Sequence, residues 1–228
     1  MSAVLQPASV EELAAAVRSA PRVIATGAGS KPRLSMVCAD AVRVSTSRLS
    51  GITEYEPSEF TFTALAGTPV REIRAALGER GQYLPFDPVL ADAGSTLAGA
   101  VAAGINGPGR WRYGGLRDFI LGVRLVDGEG RLLRFGGKVV KNAAGFDVPK
   151  LLVGSAGRLG VIAEMTFKVF PRPLAWRSLR LPAVDEIAKG RLLAELGRGR
   201  WELDAVESVV GDPVVFVRLG APEAAIDA

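Results

Sequence analysis

Between Gly94 and Gly115 the chain carries seven glycines, at positions 94, 99, 104, 107, 109, 114 and 115. Glycine weakens helices and strands alike, so this density excludes a long regular element as the segment's only content. It favours backbone that turns sharply or comes close to another group, because glycine admits positive φ and has no Cβ in the way. A surface turn would account for any one of these residues. Seven in one pattern point to a ligand approached by main chain. The wider stretch from Pro85 to Lys150 continues the theme with Phe86-Asp87-Pro88, Ser95-Thr96-Leu97-Ala98-Gly99, Arg117-Asp118 and the run from Lys141 to Asp147.

The remaining composition narrows the kind of ligand. A chain of 228 residues with 48% hydrophobic side chains and a mean hydropathy of +0.23 can build a sizeable core, burying roughly 70% of its unfolded surface. The net charge is only +4, and arginines are scattered from Arg18 to Arg218. The basic stripe and repeated stacking platforms of a nucleic-acid binder are absent, Arg110-Trp111-Arg112 being one isolated triplet. Histidine is missing and Cys38 is the one cysteine, so His and Cys clusters for zinc, haem or iron–sulfur are excluded within these residues, as is an internal disulfide. Glu11, Glu12 and Arg18 interrupt any signal-peptide hydrophobic stretch, which leads to the expectation of a cytoplasmic protein. The 17-residue uncharged run from Ala93 to Gly109 is interrupted by glycines and Pro108. It falls short of the ~20 apolar residues of a membrane helix and reads as ligand-lining.

The periodicities describe an α+β chain. Ser9 and Glu12 form a capping box ahead of an apolar stripe at Val10, Leu13, Ala14 and Val17, predicting a helix from about Val10 to Ser19. Strands are expected at Arg22–Ala25 and Ala41–Val44, arranged as a β-turn-β unit with a glycine loop after the first. Phe60–Ala66 alternates as a strand, and Thr68-Pro69 opens a helix carrying Val70, Ile73 and Leu77. Phe119–Val126 and Leu132–Phe135 flank Asp127-Gly128-Glu129-Gly130, a hairpin signal. Val161–Phe170 reads as a strand. After Pro173 the glycine-rich texture fades into a strand (Trp176–Leu181), a helix (Val184–Leu196) and two strands (about Leu203–Val209 and Val214–Leu219). A fragment of this size is marginal alone and has to dock on the main domain or a partner.

Gly27-Ala28-Gly29-Ser30-Lys31-Pro32 follows the first strand. A dinucleotide fingerprint needs a small residue with a free N–H where Pro32 stands, and a P-loop needs Gly-Lys-Ser/Thr, which Ser30-Lys31-Pro32 reverses. Two readings stay open. The loop is an ordinary glycine turn, or its successive N–H groups form a nest for phosphate oxygens, helped by the Ser30 hydroxyl and the Lys31 charge.

In combination these segments resemble the FAD-binding domain shared by vanillyl-alcohol oxidase, p-cresol methylhydroxylase and the D-lactate and glycolate dehydrogenases. The matching motifs are Gly27–Ser30, Pro85–Pro88, Ser95–Gly99, Arg117-Asp118 and Gly157–Ile162, in order, over about residues 5 to 173. The run Lys141-Asn142-Ala143-Ala144-Gly145-Phe146-Asp147, preceded by Arg134 to Lys138, looks most like the FAD-binding E subunits of glycolate oxidases. Those subunits work beside a catalytic flavoprotein subunit and an iron–sulfur subunit. The resemblance implies a two-subdomain α+β FAD-binding fold over residues 1–173, divided at about 56/57, with a truncated α/β cap over 174–228. It implies that Gly27, Ala28, Gly29, Ser30 and Lys31, with Ser95, Thr96 and Gly99, hold the pyrophosphate and ribityl chain. Asp87 and Pro88 would lie by the flavin, and main chain near Gly104, Gly107 and Ile162 would line the rest.

The departures qualify what that implies. With no histidine, and with Cys38 outside the glycine segments, FAD is expected to be noncovalent. Oxidising a small 2-hydroxy acid needs a base for the hydroxyl proton, and histidine is the side chain best suited at neutral pH. Only Asp, Glu, Lys or Tyr could serve here, so no catalytic residue is assigned. The sequence favours a flavin-carrying subunit of a glycolate oxidase complex. A self-sufficient FAD-dependent dehydrogenase and an interaction subunit that has lost its flavin stay open, as does whether Lys138, Lys141 and Asn142 touch flavin, a partner or neither.

Overall fold

The computed structural model describes residues 4–34, 40–138 and 146–221. The chain opens with β1 (Val4–Leu5), α1 (Val10–Arg18), β2 (Val23–Thr26) and β3 (Val42–Ser45). A hairpin-forming pair follows, β4 (Ile52–Glu56) and β5 (Thr61–Leu65), then α2 (Val70–Gly78) and β6 (Gln82–Tyr83). The glycine-dense segment contains α3 (Leu97–Ala103) and α4 (Arg110–Tyr113) and leads into β7 (Ile120–Val126) and β8 (Leu132–Gly136). After α5 (Val148–Leu151) come β9 (Val161–Lys168) and β10 (Phe170–Pro171). The last described part comprises β11 (Ala175–Pro182), α6 (Glu186–Arg198), β12 (Leu203–Ser208) and β13 (Val214–Ala221). The expected α+β class is the one found.

Three larger sheets organise these elements. The first has the order β1-β3-β2 and is parallel throughout. This corrects the expected β-turn-β unit, because parallel neighbours cannot be joined by a tight turn. The chain leaves β2 through the Gly27–Lys31 loop and returns over many residues before entering β3. That detour leaves the loop at the carboxyl end of β2. The second sheet, β4-β5-β9-β7-β8, is antiparallel. The β7–β8 turn is fixed by Asp127, whose carboxylate accepts the Glu129 and Arg131 amides at 3.0 and 2.9 Å.

One continuous core joins the first two sheets. Leu13 and Val17 of α1 and Val44 of β3 belong to the same buried cluster as Phe62, Phe86, Phe119 and Phe167. Phe62 and Phe167 stack with centroids 5.8 Å apart, and Phe86 lies 5.4 Å from Phe119. Such aromatic pairs are favourable beyond their area. The third sheet, β11-β13-β12, is antiparallel and carries α6 on one side. Among the described residues its separate core cluster comprises the buried Leu203, Val215 and Val217, against half-buried leucines of α6.

Local chemistry sets the boundaries. Ser9 caps α1 by accepting the Glu12 amide at 3.1 Å, while Glu12 reaches back to the Ala8 amide rather than to Ser9 itself. The expected helix at Val184 begins at Glu186, because the Asp185 side chain accepts the Ala188 amide at 2.7 Å and ends the extended segment there. The expected Val161–Phe170 strand is interrupted at Val169, whose amide turns to Phe60 O at 2.8 Å. α3 was hidden within an apparent ligand-lining stretch: Thr96 caps it, and Gly104 closes it in the left-handed conformation at φ 66°. Among the described residues, no helix is long and apolar enough to cross a membrane.

Candidate functional site

The first site element is the loop leaving β2. Gly29 has φ +71°, which only glycine adopts without strain. At Gly27 a Cβ would run into the Thr96 hydroxyl, so the loop and the start of α3 touch only because that atom is missing. Among the described residues, no backbone N–H from Gly27 to Lys31 donates to a protein acceptor. Unused donors left beside a cavity are available to a ligand.

That cavity has a volume of about 440 Å³ and is lined by the whole Gly27–Lys31 loop, a size within the usual range for small-molecule sites. α3 forms a second wall through Ala98, Gly99, Ala102 and Ala103, whose small side chains keep it flat. The third wall is Gly157, Arg158, Val161 and Ile162, at the entry to β9. At the loop end, Lys31 Nζ donates to Ser95 Oγ at 2.7 Å and to Ser30 Oγ at 3.3 Å. Ser95 is fully buried. Burial pushes the Lys31 ammonium below the ordinary lysine range, so an anion placed beside it would relieve a cost already incurred. Free amides, one oriented ammonium and smooth alanine walls suit a phosphate attached to a flat, extended group.

The structure brings together most of the residues singled out in the sequence. The Gly27–Lys31 loop, Thr96, Gly99 and Ile162 surround the cavity, and Ser95 stands directly behind Lys31. Thr96 Oγ1 caps α3 by accepting the Gly99 amide at 3.3 Å. Asp87, Pro88, Gly104 and Gly107 are not part of the lining and form a second group. Gly104 caps α3, the Gly107 amide donates to Phe86 O at 3.0 Å, Pro88 O accepts from Arg74 at 3.0 Å, and Asp87 accepts the Gly109 amide at 2.9 Å. α3 runs from the first group to the second.

Other residues resolve differently. Among the described residues no ion pair joins Arg117 to Asp118; Asp118 instead accepts the Gly115 amide at 2.8 Å. Lys138 pairs with Glu54. Lys141, Asn142 and Cys38 lie outside the described residues. The Ala93–Gly109 run read as ligand-lining does line the cavity through its alanines, but sequence reasoning missed the helix α3 that carries them, and Arg158 as lining. A signal for the former existed: Thr96 as a helix cap, followed by small residues at 98, 99, 102 and 103 on one face.

Comparison with known proteins accords with this geometry. The family model described as the FAD binding domain matches residues 1–136. The chain is 42% identical over 182 residues to the glycolate oxidase subunit GlcE of Escherichia coli, covering 78% of this chain and 50% of that protein. It is 33% identical over 190 residues to a D-2-hydroxyglutarate dehydrogenase of Xanthomonas citri pv. viticola, covering 80% and 40%. It is also 31% identical over 131 residues to the glycolate oxidase subunit GlcD of Bacillus subtilis, covering 58% and 28%. The chain therefore spans half or less of the length of these relatives. A solved structure of alkyldihydroxyacetonephosphate synthase superimposes with a TM-score of 0.74 at 20% identity, covering 98% of this chain and 48% of that one.

Proposed function

We propose, since this chain belongs to the FAD-binding domain family, that it holds FAD noncovalently as the FAD-binding subunit of a glycolate oxidase complex. The observation that carries the reading is the row of unused amides from Gly27 to Lys31 beside a cavity walled by small residues. The names of the relatives, two glycolate oxidase subunits and a 2-hydroxy acid dehydrogenase, supply the substrate class.

In this reading the loop amides and the Ser30 hydroxyl bind the pyrophosphate, and the Lys31 ammonium, steadied by Ser95, balances its charge. Thr96 and Gly99 seat the chain between pyrophosphate and ring, and main chain at Ile162 closes the opposite wall. Asp87 and Pro88, with Gly104 and Gly107, form the ring-side wall. FAD, when bound, supplies an acceptor for the two electrons leaving the alcohol carbon. With no histidine in these 228 residues to take the hydroxyl proton, the oxidation of glycolate or a similar 2-hydroxy acid is assigned to the complex. Its other members are a catalytic flavoprotein subunit and an iron–sulfur subunit. Residues 1–173 are the cofactor-binding part and 174–228 part of a cap. The complex works in the cytoplasm, in contact with the inner membrane only peripherally.

The test is anaerobic mixing of the FAD-loaded chain with glycolate or D-lactate. The flavin band near ~450 nm is expected to persist when the chain is alone and to bleach in the co-purified complex. Rapid bleaching by the isolated chain would show that it oxidises substrate unaided and would overturn the partner dependence.

A further inference from the structure

A charge cluster lies away from the cavity, where β13 meets the Pro85–Pro88 turn. Arg218 donates through Nε to Asp204 Oδ2 at 2.7 Å and through Nη2 to Asp87 Oδ2 at 2.6 Å, joining positions 131 residues apart. The Asp204 side chain is fully buried, and its other oxygen accepts from the Tyr113 hydroxyl at 2.7 Å. The Arg218 guanidinium also lies 5.4 Å from the Trp176 ring. A second contact runs parallel to it: Arg112 of α4 donates to Glu202 O at 3.0 Å and pairs with its carboxylate at 3.2 Å. A charge as fully removed from water as Asp204 persists only when its hydrogen bonds are met, and here both Arg218 bonds are short.

The turn that Arg218 grips is itself constrained. Asp87 sits at φ 47°, a left-handed conformation that a non-glycine residue keeps only when its surroundings impose it. On one side the 104–109 loop holds it: the Gly109 amide bonds the Asp87 carboxylate, and a Cβ at Gly109 would strike Pro85 O. On the other side two side chains hold the turn: Arg74 of α2 donates to Pro88 O, and Arg218, from the C-terminal sheet, grips the Asp87 carboxylate. α3 connects this turn to the cavity, since Ala98, Gly99, Ala102 and Ala103 along it line the cavity and its cap, Gly104, opens the gripping loop.

We propose that Arg218 is a positioning residue of the cofactor site, so that docking of the C-terminal sheet and binding of FAD are one linked equilibrium. The inference rests on the reading of Asp87 and Pro88 as the ring-side wall. Linkage is reciprocal: if the docked sheet fixes the turn that FAD needs, bound FAD holds the sheet docked to the same degree.

Hydrogen exchange of β12 and β13, measured with and without FAD beside a fluorescence titration of FAD affinity, tests this on the full chain. In the wild type FAD is expected to slow exchange in both strands. Arg218→Gln is expected to bind FAD about tenfold more weakly and to lose the FAD-dependent protection of β12 and β13 while keeping it at residues 27–31. Arg218→Lys, which retains the charge but not the fork, is expected to recover only part of both. If Arg218→Gln disorders the sheet outright, Asp87→Asn, which leaves the Arg218–Asp204 pair intact, must still abolish the protection. Unchanged affinity and unchanged protection in these variants would overturn the inference while leaving the cofactor reading standing. A wild-type chain that binds no FAD would instead overturn both.

Discussion

The cavity region and the C-terminal sheet are held by different physics. Around the cavity, a large shared core of aromatic and aliphatic side chains fixes the two main sheets, and the site is then shaped by main chain and by atoms left out. Among the described residues the C-terminal sheet has a core cluster of three buried residues, and it is attached by the polar contacts of Arg218, Asp204, Tyr113 and Arg112 and by the edge contact of Trp176 with Tyr83. The first region is pre-formed by burial. The second depends on a few directed polar contacts and is the part able to respond to a ligand or partner. Low local stability of this kind is where motion concentrates.

The contrast is broken most sharply in the large core. Phe167→Ala removes a ring that touches both Phe62 and Phe86, and is expected to cost about 3–5 kcal/mol in a single global unfolding step, read by thermal or denaturant melts. Next is Asp204→Asn, which leaves Arg218 with half its partners. It is expected to cost about 3 kcal/mol, expressed as local opening of β11–β13 in hydrogen exchange with the main transition little changed. A fall in the main transition as large as that of Phe167→Ala would deny the division between the regions.

Smaller effects sharpen the cavity side. Gly27→Ala places a Cβ against the Thr96 hydroxyl, and is expected to weaken FAD by about 2 kcal/mol, roughly 30-fold, in a titration of the apoprotein. Lys31→Met is expected to lose about fivefold to tenfold. The pH dependence has a definite sign: the ammonium form pairs with phosphate, and burial lowers the Lys31 pKa in the free site. FAD affinity should therefore be full on the acid side and fall as pH rises through that lowered pKa, and the slope should disappear in Lys31→Met. Smallest is Arg22→Gln at the exposed Arg22–Asp40 pair, 4.0 Å apart, where less than ~0.5 kcal/mol is expected in the same melts.

Legibility in the sequence followed the range of the interactions. The Gly27–Lys31 loop could be read because its cause is local: a strand ends, glycines follow, and Pro32 rules out the commoner phosphate motifs. The strands around Phe62 and Phe167 could be read from alternation. α3 was hidden because alanine and glycine give no polar face and hence no period, although Thr96 and Gly104 marked its ends. The parallel pairing of β2 with β3 was misjudged because only the chain's path between them decides it. The Asp87–Arg218 contact spans 131 positions and leaves no local trace. Asp87 is marked by its Pro-x-Asp-Pro turn, while Arg218 carries only the alternation of a strand.

The central claim is that this chain carries FAD, held noncovalently by the main chain of the Gly27–Lys31 loop. It is tested most directly by titrating the apoprotein, wild type beside Gly27→Ala, with FAD while following flavin absorbance and then precipitating the complex with acid. The account predicts a saturable yellow complex with a band near ~450 nm, flavin released intact into the acid supernatant, and clearly weaker binding by the variant. A wild-type chain that stays colourless at saturating FAD, or flavin that remains with the precipitate, would contradict it.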